Sequence, residues 1–339
     1  MRFPFSLTRS MTAYLLRKKL AGEKVFPLVL MLEPLHTCNL SCTGCGRIRE
    51  YASTMHRRLS VEQCLAAAAE CGAPIVSVCG GEPLMYPEIE PLIEILIEQK
   101  KHVYLCTNGV LLEKKLQGLR PSSRLFINVH LDGMEATHDR MVEREGVFAA
   151  AVRGILDAKT AGFTVCTNTT IYKDTDMHEV AVLFDYLYEL GVDGFMISPA
   201  FGYASVCDSD PQGGQQIFMT RDEVHEKFRT ARQLLHGFKL TASPIYMEFL
   251  RGERELECAA WANPTYNVQG WRGPCYLLGD AHYETYRELV ASTDWSTLGP
   301  SGDSRCKHCL VHCGFEPAAV LTANKGVRDL VRMAMWQMT

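Results

Sequence analysis

The sequence predicts an α/β fold: a partial (β/α)6 barrel followed by a cysteine-rich C-terminal extension. Three observations lead to it. From Pro27 to about Ala200, short apolar, β-branched runs alternate with longer segments of helical period. Six such runs are present, where eight would close a barrel. Beyond Ala200 the alternation stops, and five cysteines gather between Cys258 and Cys313. A doubly wound sheet fits the same alternation and is the rival architecture. Both place chemistry at the carboxyl ends of the strands.

The elements follow in order. Strands are expected at Leu28–Glu33, Ile75–Cys79, Val103–Thr107, Leu125–Leu131, Thr164–Thr170 and Gly194–Ser198. Helices are expected at Val61–Cys71, Glu88–Gln99, Leu111–Gln117, Val147–Ala161 and Met177–Leu190. Ser60 with Gln63 is a capping box for the first of these. Gly72, Gly162 and Gly191 each follow a helical stretch, where a left-handed residue is wanted. Parallel strands joined by helices are connected right-handedly. After Ala200 come a polar, Gly-rich loop at Cys207–Gly214, a helix near Arg221–Leu235, a loop-rich stretch from Cys258 to Cys313 and a final helix at Val327–Met338. This divides the chain into a basic N-terminal segment (1–26), the barrel (27–205) and the extension (206–339).

Composition narrows the function classes. Hydrophobic residues are 47% and charged residues 22% of 339, which is globular and rules out wholesale disorder. The net charge of −4 argues against a nucleic-acid coat protein, and no nucleic-acid partner is expected. No secretory signal and no apolar run of about 18 residues is visible, so the expected location is the cytoplasm. Fourteen cysteines in such a chain point to metal. The segment 9–24 and the helix Val327–Met338 both combine apolar with basic residues. Each suits either docking on the inner face of a membrane or packing against the barrel.

Cys38, Cys42 and Cys45 form a C-x3-C-x2-C array directly after the first strand. Three thiolates in one loop hold three irons of a [4Fe–4S] cluster and leave the fourth open. Zinc would want a fourth nearby ligand. Cys275, Cys306, Cys309 and Cys313 are read as a second metal set, with Cys258 spare. Its occupant is an iron–sulfur cluster or, using His308 and His312, zinc; buried thiols capping the barrel are the bland alternative. Cys64, Cys71 and Cys79 read as small hydrophobes. Cys106, near the carboxyl end of the third strand, is either a core thiol or a group at the barrel mouth.

The cysteine array resembles the radical S-adenosylmethionine superfamily. Gly80-Gly81-Glu82-Pro83, one βα unit later, resembles its GGEP segment, and His130-Leu131-Asp132-Gly133 resembles its S-x-D-G segment with His130 in place of serine. The resemblance implies a partial barrel and S-adenosylmethionine as co-substrate, cleaved to a 5′-deoxyadenosyl radical. It also implies a reducing electron donor of flavodoxin or ferredoxin type. Gly80, Gly81 and Glu82 would lie along the methionyl part, with Glu82 receiving its ammonium; Asn128, His130 and Asn168 would contact the rest. Gly44 stands where most members place an aromatic beside the adenine, which implies more room near the nucleoside.

Further segments resemble the adenosylhopane synthases of hopanoid biosynthesis: Val29-Leu30-Met31-Leu32-Glu33-Pro34, Tyr104-Leu105-Cys106-Thr107-Asn108, Gly273-Pro274-Cys275-Tyr276 and Val311-His312-Cys313-Gly314. That resemblance implies addition of the adenosyl radical to the terminal alkene of diploptene, a hydrophobic triterpene, with Cys106 as hydrogen donor. Arg47 replaces the usual lysine, and Gly202–Cys207 differs from the family's charged version. The alternatives are another alkene lipid or a ribosomal peptide as substrate, or a non-catalytic metal-binding protein.

Overall fold

A computed structural model describes residues 2–207, 216–323 and 326–338. The polar stretch Asp208–Gly214 within the expected loop lies outside the described residues. Six parallel strands form the first part of the sheet: β1 (Val29–Leu32), β2 (Ile75–Val78), β3 (His102–Thr107), β4 (Leu125–His130), β5 (Thr164–Ile171) and β6 (Gly194–Pro199). They lie in simple sequence order. A doubly wound sheet would reverse its strand order at a switch point, so the order decides for the expected partial barrel.

The extension departs from expectation. The stretch read as loop-rich contains β7 (Thr265–Asn267), β8 (Gly270–Pro274) and β9 (Gly279–Tyr283). β7 pairs in parallel with β1, while β8 and β9 follow antiparallel, making nine strands among the described residues. The sheet thus crosses the boundary drawn at residue 205. These strands are three to five residues long and carry glycine and proline, so their alternation is too brief to read from sequence.

Strand alternation sorts the side chains into two sets. Leu30, Leu32, Val76, Val78, Val103, Leu105, Ile127 and Val129 are fully buried. They back onto helices that include α2 (Val61–Cys71), α3 (Ile89–Glu98) and α4 (Val147–Thr160). Burying each such side chain is worth about 1.5–3 kcal/mol. The inner face carries Met31, Ser77, Tyr104, Phe126 and Thr164 in one register-matched layer and Cys106, Asn128 and Cys166 in the next. Met31, Tyr104, Cys106, His130 and Asn168 on that face stay partly exposed, as a lumen requires. The capping box forms as read: Ser60 Oγ accepts from Gln63 N at 3.2 Å, and Gln63 Oε1 accepts from Ser60 N at 2.8 Å. Gly72 ends α2 at φ 69°.

The two chain ends meet. The N-terminal helix α1 runs Phe5–Leu20, earlier than the 9–24 segment expected. Leu7 and Tyr14 are buried, and Tyr14 Oη donates to Pro27 O at 2.6 Å. Phe3 packs edge-on against Trp336 of the final helix (Val327–Met338), and Arg2 Nε donates to Trp336 O at 3.0 Å. Phe5, Leu16, Leu20, Val327, Val331 and Met335 remain exposed. Among the described residues no helix is long and apolar enough to cross a membrane.

Candidate active site

The loop after β1 carries Cys38, Cys42 and Cys45 as free, partly exposed thiols. Burial pushes the Cys38 thiol up to about 11, with Glu82 and Cys45 adding to the shift, and Cys42 up to about 12, with Cys45 and Cys38 adding. The loop turns at Gly44, whose φ of +77° disfavours any side chain. A Cβ there would lie 3.0 Å from Tyr172 Cε1 and 3.2 Å from Ile217. Here the expectation of extra room is corrected. The ring of Tyr172, just beyond β5, fills the space beside Gly44, and its hydroxyl donates to Thr43 O at 3.3 Å. An aromatic ring thus lies beside Gly44, brought there from the end of β5 and not by the loop itself.

The Gly80-Gly81-Glu82 turn follows β2. Gly80 has φ +105°, and a Cβ on it would lie 2.5 Å from Leu35 O; one on Gly81 would collide with Thr37 O. Gly81 N donates to Leu35 O at 3.2 Å and Glu82 N to Thr37 O at 2.9 Å. The glycines therefore let this turn lie against the segment leading to Cys38. The Glu82 carboxylate is buried and accepts from Leu84 N at 3.0 Å, Thr107 Oγ1 at 2.7 Å and Asn108 N at 2.8 Å. Burial raises its pKa and those donors hold it down. A carboxylate offers about four acceptor positions, so three are already used within the protein. Asn108 in turn donates to Asn39 Oδ1 at 2.8 Å, tying the end of β3 to the cysteine loop. Sequence reading missed Asn39 and Asn108, although both flank residues it had singled out.

At the mouth of β4, His130 Nε2 lies 2.8 Å from Asp132 Oδ2, and Asp132 Oδ1 accepts from Thr170 N at 2.8 Å. Burial opposes the charge on His130, but Asp132 outweighs it and raises the pKa. Asn168 is in register with His130. Asn128 belongs one layer deeper, where Nδ2 lies 3.8 Å from the Cys106 sulfur. Cys106 is 3.3 Å from Ser77 Oγ. Burial keeps its pKa raised against those two hydrogen bonds, so the sulfur carries its hydrogen at neutral pH. Two other thiols of the strands, Cys79 and Cys166, are buried, whereas Cys106 is partly exposed.

Arg47, noted in the sequence only as replacing a lysine, has a place the sequence did not show. Its guanidinium is buried beside Glu33, with Nε 3.4 Å from Glu33 Oε1. Nη2 donates to Tyr276 O at 2.8 Å, and the guanidinium carbon lies 3.8 Å from the Tyr276 ring centroid. Burial lowers its pKa, but Glu33 and the surrounding tyrosines reverse this and raise it well above the ordinary value. Arg49 is exposed by comparison, so no local pattern in Arg47–Glu50 distinguishes the buried arginine.

In the extension, Cys258, Cys275, Cys306, Cys309 and Cys313 all line one cavity. Cys258, read as spare, stands on the same wall as the other four. His308 and His312 are not on that wall: His308 Nδ1 accepts from Arg221 N at 3.2 Å, and His312 packs edge-on against Tyr246. The histidine-assisted zinc site is thereby corrected. Among the described residues no three His, Cys, Asp or Glu side chains converge for a single metal ion. Zinc takes its ligands at about 2.0–2.3 Å, whereas a cluster spreads its cysteines over separate irons.

A parallel partial barrel that presents three free thiols on the loop after its first strand, facing a Gly-Gly-Glu turn, is the framework of an enzyme that uses S-adenosylmethionine with an iron–sulfur cluster. Comparison with known proteins agrees. Residues 32–187 match the radical SAM superfamily, and residues 195–333 match a domain of unknown function, DUF3463. The chain is 29% identical over 270 residues to a probable GTP 3′,8-cyclase of Methanococcus maripaludis, covering 76% of this chain and 87% of that one. It is 29% identical over 289 residues to an Fe-coproporphyrin III synthase of Methanosarcina barkeri, covering 74% and 70%. Streptococcus suis SuiB bound to S-adenosylmethionine has a similar fold, with TM-score 0.63 and 16% identity over 88% of this chain and 71% of SuiB. The chain is a radical S-adenosylmethionine enzyme. The superfamily's [4Fe–4S] cluster fits the three free thiols of Cys38, Cys42 and Cys45. The two relatives named here are a cyclase and a coproporphyrin synthase, and they lend nothing to the hopene reading.

Proposed function

We propose that this enzyme adds the 5′-deoxyadenosyl group of S-adenosylmethionine to the terminal alkene of a hopene such as diploptene. The observation that carries the reading is the Cys106 thiol: partly exposed on the inner face of a central strand, protonated, and oriented by Ser77 and Asn128. Cys38, Cys42 and Cys45 would hold the cluster, which would supply the electron for reductive cleavage of S-adenosylmethionine to methionine and the adenosyl radical. The protein's own work is positional. Gly81 and Glu82 hold the turn against the cysteine loop, Tyr172 fills the space beside Gly44, and Asp132 fixes His130 at the mouth.

Addition to a terminal alkene leaves a tertiary carbon radical, and a saturated product needs one hydrogen atom there. The S–H bond of Cys106 is weaker than the tertiary C–H bond that forms, so the transfer runs downhill. The resemblance of Tyr104–Asn108 and Gly273–Tyr276 to adenosylhopane synthases supports the same acceptor. The exposed apolar side chains of the paired terminal helices suit access to a membrane-held substrate. The experiment is anaerobic reconstitution with S-adenosylmethionine, a low-potential reductant and diploptene, read by mass spectrometry of the lipid extract. An adenosylated triterpane is expected. 5′-Deoxyadenosine without any lipid adduct would move the acceptor to another class.

A further inference from the structure

The cavity of the extension asks for an occupant. Its five cysteines come from separate places: the loop before Ala260, the residue after β8, the turn Ser304–Cys306, the residues after it, and the first turn of the helix His312–Ala323. They surround about 540 Å³ of space between protein atoms, part of it open to solvent. None is in a disulfide. Apolar Phe201, Leu298 and Phe315 complete much of the wall. Cys258 is held there deliberately: a Cβ on Gly314 would lie 2.7 Å from its sulfur, so only glycine beside Cys313 leaves that sulfur its place. Five thiols, none in a disulfide, around one cavity supply the four ligands a cluster takes.

A chain of side chains links the cavity to the first cysteine loop. Tyr276, next to Cys275, forms part of its wall. Arg47 stacks on that tyrosine and pairs with Glu33 at the end of β1, and it lies two residues beyond Cys45. One arginine therefore joins the carboxyl end of β1, the first cysteine loop and the second cysteine cavity.

We propose that this cavity binds a second [4Fe–4S] cluster, held by four of the five thiolates with Cys258 among them, and that it returns Cys106 to its thiol after each turnover. The second half rests on the reading under Proposed function; the first does not. The balance is explicit. The carbon radical takes the hydrogen atom of Cys106, forming a C–H bond and leaving a sulfur radical. One electron from the reduced cluster, which is oxidised by one unit, and one proton from water restore S–H. Each adduct thus consumes two electrons, one for S-adenosylmethionine and one for Cys106. A cluster whose four irons are all held by protein thiolates has no open iron for substrate, and electron transfer is the chemistry left to it.

The test begins with iron and acid-labile sulfide after anaerobic reconstitution. The intact chain should hold on the order of eight irons, and the Cys38→Ala/Cys42→Ala/Cys45→Ala variant on the order of four with matching sulfide. About four in the intact chain, or none in the triple variant, overturns the site. Adding Cys258→Ser to the triple variant should remove most of that iron; full retention overturns the place given to Cys258. In the otherwise intact chain, Cys309→Ser with Cys313→Ser should give about one adduct per enzyme and then stall. Sustained wild-type turnover by that variant overturns the electron role. Failure of the intact enzyme to make any lipid adduct would count against the alkene reading while leaving the iron counts to stand or fall alone.

Discussion

The Cys106 sulfur lies 3.3 Å from the Ser77 hydroxyl across the β2–β3 pair, with Asn128 on its other side at 3.8 Å. A thiol held between two polar neighbours on adjacent strands has a fixed direction, which a hydrogen donor needs: a misplacement of about 1 Å can cost roughly a hundredfold in rate. Cys106→Ala should still form the carbon–carbon bond but quench slowly, or to mixed stereoisomers. Ser77→Ala should keep one stereoisomer and slow quenching severalfold. Product chirality and deuterium content after turnover in D2O check both; one stereoisomer at the wild-type rate from Cys106→Ala would return that residue to the core.

Replacing Cys38, Cys42 or Cys45 singly by Ala should abolish 5′-deoxyadenosine formation, since three ligands are the minimum the first cluster has. Chromatographic assay of 5′-deoxyadenosine with dithionite measures it. Cleavage at a near wild-type rate in any of the three would falsify the ligand assignment.

Glu82→Ala should lower S-adenosylmethionine affinity with the cluster spectrum intact. It should also destabilise the fold, because it strands the donors of Leu84, Thr107 and Asn108. A buried donor left without a partner costs about 1–3 kcal/mol, so a fall in Tm of several degrees is expected. Calorimetric binding and thermal melting separate the two effects.

Tyr172→Ala should weaken S-adenosylmethionine binding, with Tyr172→Phe close to wild type, if the ring does the work of the aromatic that Gly44 replaces. Gly44→Ala should cost about 1–2 kcal/mol from its left-handed backbone alone, before the contact with Tyr172. Equal affinity in Tyr172→Ala and wild type would remove the ring from the nucleoside site.

Glu316, whose carboxylate oxygens accept from Ser243 N at 3.2 and 3.1 Å, is pushed up to about 7 by burial. A carboxyl whose folded pKa is raised contributes stability in full below its ordinary value of 4.5, and loses it as pH rises through about 7. The wild type should therefore lose Tm between pH 5 and 8 more than Glu316→Gln does. Parallel melting curves across that window are the check, and identical slopes would mean that Glu316 does not titrate there.

Local physics made the first half of the chain readable. Six β-branched runs spaced by amphipathic helices dictate parallel βα units, and Ser60 with Gln63 dictates where a helix begins, because these interactions span a few residues. Three thiols within eight residues, Cys38 to Cys45, declare a cluster loop for the same reason. What the tertiary structure alone decided are pairings between distant segments. Tyr172 meets Gly44, Arg47 meets Tyr276, β7 joins β1, and Cys258 joins Cys313 on one wall. None of these partners lies within a turn or a heptad of the other. Their meeting depends on how a right-handed βα succession curls the sheet and brings strand ends and loops to one place. Sequence spacing carries no record of that distance, so it could name candidate residues but not who stands beside whom.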